Sequence, residues 1–148
     1  MQQAIRTGMY NWMKVVDVMT EAPVTVTPTD TIRHAGALMS EHGIRQLPVV
    51  QGRALVGVIT DRDLRSILGD ARLVEPEERT MALQTPVGEV MSTEPMTLSP
   101  HDDLQTAVAA LIDEKFGGFP VVDKDAGLLG IVTHIDLLRC FLNRLQEN

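Results

Sequence analysis

The chain has 148 residues, 44% of them hydrophobic and 22% charged, the balance of a folded globular protein rather than a disordered one. Only 3% are aromatic and the formal charge is -7, so the core must be aliphatic and a general nucleic-acid binder is disfavoured. No apolar run approaches the roughly eighteen residues that a membrane helix needs, which argues against a membrane partner.

The opening stretch MQQAIRTGMYNWMKVV is too polar for the core of a signal peptide, and a single cysteine, Cys140, allows no internal disulfide. Both point to a reducing cytoplasm. Charge is uneven: residues 1–72 hold 8 Lys and Arg against 7 Asp and Glu, and residues 73–148 hold 5 against 13. An anionic ligand would therefore draw its cations from the first half.

In chain order, residues 1–14 read as an accessory arm whose Tyr10 and Trp12, if ordered, dock on a second subunit. The piece PVTVT alternates in strand fashion. Thr27-Pro28-Thr29-Asp30 follows, with the residues of a helix start, and Ile32, Ala35, Leu38 and Met39 give the helix an apolar face. Gly43 suits a left-handed cap. QLPVV and ALVGVIT then read as a hairpin about a Gln-Gly-Arg turn, and a second helix runs from Asp61 to about Leu68. Residues 71–86 are rich in charge and read as a partly helical linker.

The series then repeats. Val18–Met39 falls on Val90–Leu111 at an offset of 72, and Leu47-Pro48-Val49-Val50 falls on Phe119-Pro120-Val121-Val122. One extra loop residue moves the offset to 73, where LVGVIT meets LLGIVT. Pro23/Pro95, Pro28/Pro100 and Pro48/Pro120 stay in register, so this is an internal duplication. The second copy supplies the strand PMTLS, the helix start Ser99-Pro100-His101-Asp102, a helix carrying Leu104, Ala107, Val108 and Leu111, and a last helix from His134. One copy alone has little apolar surface to bury. The expected fold is α+β: two tandem repeats, each β-α-β-β-α, packed sheet to sheet about a pseudo-twofold axis. The expected boundaries are 15–70 for the first repeat and 87–148 for the second.

The Val-Met-Thr/Ser start, the Thr/Ser-Pro entry, the Pro-Val-Val strand and the Gly-x-x-Thr-x-x-Asp ending together resemble the cystathionine-β-synthase (CBS) domain. Two copies resemble the paired arrangement called a Bateman module. The resemblance implies an intracellular regulatory module that takes adenine-containing ligands in clefts between its copies: AMP, ADP, ATP, NAD, S-adenosylmethionine or cyclic di-AMP. It also implies a homodimer. The chain leaves no room for an effector domain, so the effector expected is a separate protein, informed by a shift between two arrangements of the copies.

Two readings fit the repeated Thr-x-x-Asp. In one, Thr60 and Asp63, or Thr133 and Asp136, form a capping box that only finishes a helix. In the other, the same corner grips a sugar-phosphate: backbone N–H groups and the Thr hydroxyl face phosphate, and the carboxylate accepts the ribose hydroxyls. Gly57 and Gly130 would then let a flat base approach the strand. Recurrence within the duplication favours the second reading. The cations differ between copies: Arg62 stands in the first motif and His134 in the second, and by the resemblance Arg45 reaches phosphate held by the other copy. For each arginine a solvated surface charge is the competing reading. Val24, Val26, Leu47, Met96, Leu98 and Phe119 are candidates for an apolar adenine pocket or for plain core.

His34, His42, His101 and His134 have no metal-ligand spacing, so no metal is expected. No cofactor is required. The adjacent acids Asp102 and Asp103 fit capping better than acid–base work, and nothing supplies an evident catalytic base, so an enzyme is not expected. The main rival is a ligand-free oligomerisation or interaction module.

Overall fold

The computed structural model describes residues 12–114 and 117–147. In chain order these form β1 (Thr20–Glu21), α1 (Ile32–His42), β2 (Gln46–Gln51), β3 (Ala54–Thr60), α2 (Asp61–Leu68) and α3 (Pro76–Leu83). After these come α4 (Leu104–Glu114), β4 (Gly118–Val122), β5 (Leu128–Thr133) and α5 (His134–Gln146). The mixed α+β class and the duplicated helix–strand–strand–helix order are as expected from the sequence, but the strand expected at PMTLS is only a single parallel bridge, Leu98 to Val121.

The repeats in the sequence and the compact units in space have different boundaries. One unit is Pro23–Pro95; the other joins residues 12–22 to residues 96–147. The cause is strand pairing. Thr20 and Glu21, which precede the first repeat's helix, pair antiparallel with Ile131 and Gly130 of the second repeat. Ser92, at the corresponding point of the second copy, bridges Val58 of the first, with N–H to O distances of 3.0 and 2.9 Å. Each repeat thus lends its leading segment to the other repeat's sheet.

In the unit Pro23–Pro95, β2 and β3 form the expected hairpin, with Gly52 at φ +62° in its turn. The PVTVT stretch contributes a single parallel bridge, Val26 to Val49, rather than a full strand. Val26, Ile32, Ala35, Met39, Leu47, Val49, Ile59, Leu64 and Val87 make one aliphatic core. The linker is helical over Pro76–Leu83, with its proline in the first turn where a missing N–H leaves nothing unpaired.

In the other unit, β1, β5 and β4 form a three-stranded sheet. Val15, Leu98, Ala107, Leu111, Phe119, Val121 and Val132 form its core. The end of the arm belongs to this unit. Met13 is buried, its carbonyl accepts the Leu104 N–H at 2.9 Å, and Lys14 Nζ pairs with Asp103. Trp12 is 61% exposed, and the Arg144 guanidinium lies 5.5 Å from its ring centroid, a cation–π contact within the unit. Tyr10 lies outside the described residues.

Both first helices start later than their sequence signature suggests. Asp30 carboxylate accepts the Thr27 N–H at 2.8 Å while Asp30 N–H reaches Thr27 O at 3.1 Å, which closes a turn; Ser99 and Asp102 do the same at 2.8 and 3.1 Å. The first helix begins at Ile32, capped by Thr31, whose hydroxyl accepts the His34 N–H at 3.2 Å. Helical N–H groups that would be orphaned find carbonyls just ahead of the lent segments: Ile32 N–H bonds Thr85 O, and Leu104 N–H bonds Met13 O, both at 2.9 Å. Gly43 ends the first helix at φ +63°, the expected left-handed cap.

Candidate functional site

Each hairpin delivers its second strand directly into a helix, and the repeated Thr-x-x-Asp occupies that corner. At the first, Asp63 Oδ2 accepts the Thr60 N–H at 2.9 Å and Thr60 Oγ1 accepts the Asp63 N–H at 3.2 Å. At the second, Asp136 Oδ2 accepts the Thr133 N–H at 2.8 Å and Thr133 Oγ1 accepts the Asp136 N–H at 3.3 Å. Both motifs are therefore reciprocal capping boxes with Asp in the third position. Capping does not exhaust them, since a carboxylate has two oxygens and a hydroxyl both donates and accepts.

What remains after capping differs between the corners. The Thr133 hydroxyl also donates to Asp136 Oδ2 at 3.0 Å, and Asp136 Oδ1 accepts the Thr20 hydroxyl at 2.9 Å with Arg139 Nη1 3.8 Å away. Asp136 is 8% exposed, the one buried charged residue among those described. Asp63 is only half-buried, and among the described residues its Oδ1 and the Thr60 hydroxyl proton have no further partner. Thr20 and Arg139 were not foreseen as part of either corner. Thr20 reaches its place through pairing with a strand more than a hundred residues away, and a single sequence carries little trace of that.

The cations are placed as follows. Arg62 is exposed on the first turn of α2. Arg45 is exposed beside the same corner, where its carbonyl accepts the Asp61 N–H at 2.9 Å. In the second copy, Gly117 stands where Arg45 does, and its carbonyl takes both the His134 N–H at 3.2 Å and His134 Nδ1 at 3.0 Å. Because a carbonyl only accepts, Nδ1 is the donor in this contact.

Val26, Leu47 and Phe119 are at most 1% exposed and Leu98 6%, all inside the two cores. For these four the plain-core reading accounts for the placement, because they have almost no surface left for a ligand. Val24 is half-buried against its core, and Met96 is 46% exposed. At both Gly57 and Gly130 a side chain would meet protein backbone. A Cβ on Gly57 would lie 2.8 Å from Ser92 O, and one on Gly130 would lie 2.6 Å from Thr20 O. The close approach seen in this structure is that of the lent strand's backbone.

Two concavities belong to the unit of residues 12–22 and 96–147. One, of about 300 Å³, runs beside Asp136 and includes Asp17, Arg139, Cys140 and Arg144. The other, of about 690 Å³, is apolar and lies between α4 and α5, lined by Val108, Ile112, Leu138 and Phe141 among others. Among the described residues no helix is long and apolar enough to cross a membrane, and no three His, Cys, Asp or Glu converge as metal ligands.

A duplicated strand–helix corner of this kind defines a class: the CBS domain model matches residues 15–70 and 87–143, and the chain belongs to that family as a paired CBS protein. Similar curated proteins include the CBS domain-containing protein YhcV of Bacillus subtilis, 37% identical over 127 residues, which are 83% of this chain and 81% of that protein. Several other curated relatives are longer, and the chain spans about half of one, 48%, and about a fifth of another, 21%. The structure of CBSX2 in complex with AMP is 31% identical, with a TM-score of 0.75 over 88% of this chain and 96% of that one; CBSX2 is from Arabidopsis thaliana. The CBS domain pair of MJ0100, in complex with 5'-methylthioadenosine and S-adenosyl-L-methionine, is 25% identical with a TM-score of 0.74, over 89% of this chain and 98% of that one.

Proposed function

We propose that the protein is a regulatory CBS pair that binds an adenosine-containing ligand at its Thr-x-x-Asp corners and informs a separate partner, without catalysing a reaction itself. The observation that carries this reading is the first corner, where capping leaves a carboxylate oxygen, a hydroxyl proton and two exposed guanidinium groups unspent. Asp63 Oδ1 is suited to accept from ribose hydroxyls. The Thr60 hydroxyl and the positive end of α2 suit a phosphate, with Arg62 and Arg45 as its counter-charges. AMP is the first ligand to test, since CBSX2 holds AMP. The ligands of MJ0100 share the adenosine part without a phosphate, which makes S-adenosylmethionine the second. ADP, ATP, NAD and cyclic di-AMP complete the panel.

Thermal-shift and calorimetric titration test the reading. A ligand that binds the folded state at a hundred times its Kd stabilises it by about 2.7 kcal/mol. The expected result is stabilisation by at least one adenosine ligand, weakened in Asp63→Asn. No stabilisation by any member at millimolar concentration would leave the ligand-free interaction module as the function.

Assembly is the second element. We infer a homodimer through α5, because Leu138 and Phe141 are each 59% exposed, Leu142 52% and Leu145 55%, an apolar face too large for solvent.

A further inference from the structure

We infer that Thr20 is a guard residue that closes the second corner, so that the two corners of the chain are unequal and the one built on Asp63 fills first. The inference rests on the nucleotide reading above and adds which corner responds and what restrains the other.

The comparison is internal, because the strand register is the same in both units. Thr20 pairs with Ile131 and Ser92 with Val58, and Ile131 and Val58 are equivalent positions of the duplicated strand. The side chains nevertheless behave differently. Thr20 Oγ1 donates to Asp136 Oδ1 at 2.9 Å, whereas Ser92 is exposed and makes no described bond to Asp63. The Thr133 hydroxyl proton is likewise spent on Asp136 at 3.0 Å, and the Thr60 proton is not spent on Asp63.

At the second corner every group that would meet a ribose therefore already has an internal partner, and the carboxylate is 8% exposed. A ligand there must first displace the Thr20 hydroxyl and turn it outward. At the first corner nothing has to be displaced. One hydroxyl bond to a carboxylate corresponds to about a tenfold or larger change in affinity. Thr20 sits on a two-residue edge strand and is itself exposed, so a change of its side chain need not disturb the core.

The test is calorimetric titration with AMP of the whole chain, the Asp63→Asn variant, and Asp63→Asn combined with Thr20→Val or Thr20→Ser. The parent is expected to bind AMP with a dominant component that Asp63→Asn weakens at least tenfold. In that background Thr20→Val, which keeps the shape and removes the donor, should strengthen the remaining binding about tenfold or more, and Thr20→Ser should not. A circular-dichroism melt verifies folding, and Thr20→Ala replaces Thr20→Val if the latter melts early. Asp63-dependent binding with no gain from Thr20→Val or Thr20→Ala would overturn the guard and leave the nucleotide reading standing. No AMP binding by the parent at millimolar concentration, unchanged by Asp63→Asn, would overturn both.

Discussion

The carbonyl oxygen of Ser92 lies 2.8 Å from the point where a side chain on Gly57 would begin, and Met91 Sδ lies 2.7 Å from it. Gly57 is thus required by the segment that the second repeat lends to the first repeat's sheet. The backbone oxygen cannot swing aside as a flexible side-chain end would, so Gly57→Ala should destabilise by about 1–3 kcal/mol, the usual effect of overpacking. Gly36 is the contrast. It lies inside α1 with its nearest neighbour, Leu64 Cδ1, at an ordinary 3.5 Å, so Gly36→Ala should stabilise by about 0.5–1 kcal/mol. Urea unfolding of both variants reads out the signs; a neutral Gly57→Ala would mean that the lent strand is loosely held.

The same pair marks the limit of what the letters convey. Local order was legible: the hairpin about Gly52, the left-handed cap at Gly43 and both second helices follow from turn chemistry and apolar period. Non-local pairing was not. Val15–Glu21 and Val87–Ser92 begin their repeats in sequence but complete each other's units, and no periodicity encodes a strand's distant neighbour. The Thr-Pro-x-Asp signature misplaced two helix starts because the same carboxylate-to-N–H bond can close a turn. At the corners the motif located Asp63 and Asp136, but their unequal occupancy depends on Thr20, visible only once β1 is paired.

Removal of the two carboxylates should therefore have unequal effects on stability. Asp63→Ala loses one capping bond from a half-buried group, worth about 1 kcal/mol, with up to about 2 as the usual limit. Asp136→Ala loses bonds from the Thr133 N–H and from the Thr20 and Thr133 hydroxyls at a buried site, and should cost about 2–4 kcal/mol. Chemical denaturation without ligand separates the two. Equal losses would show that the extra bonds of Asp136 contribute nothing.

If Arg62 pairs with a phosphate, its contribution should depend on the phosphate being there. Arg62→Ala is expected to weaken AMP binding by about 1.5–3 kcal/mol and to leave adenosine binding within error. Titrating both ligands against both proteins makes the comparison internal, because adenine and ribose contacts cancel. Loss of affinity for adenosine as well would place Arg62 against the sugar or base, and an unchanged AMP affinity would return it to the solvated surface.

The exposed face of α5 gives the last prediction. Leu138, Phe141, Leu142 and Leu145 recur at helical spacing on one side, and Leu138 and Phe141 also border the apolar groove shared with α4. A helix face of this kind meets its own copy isologously, since a twofold axis brings like residues together and needs no second complementary surface. A carboxylate placed there is duplicated by symmetry, so Phe141→Asp puts two charges into one apolar seam. Light scattering should show the parent at twice the chain mass and Phe141→Asp at the chain mass. Leu73→Asp is the control: Leu73 is 84% exposed but stands in the linker and belongs to the other unit, and its mass should match the parent. A parent already at the chain mass would refute the dimer, and dissociation by Leu73→Asp would move the interface to the linker.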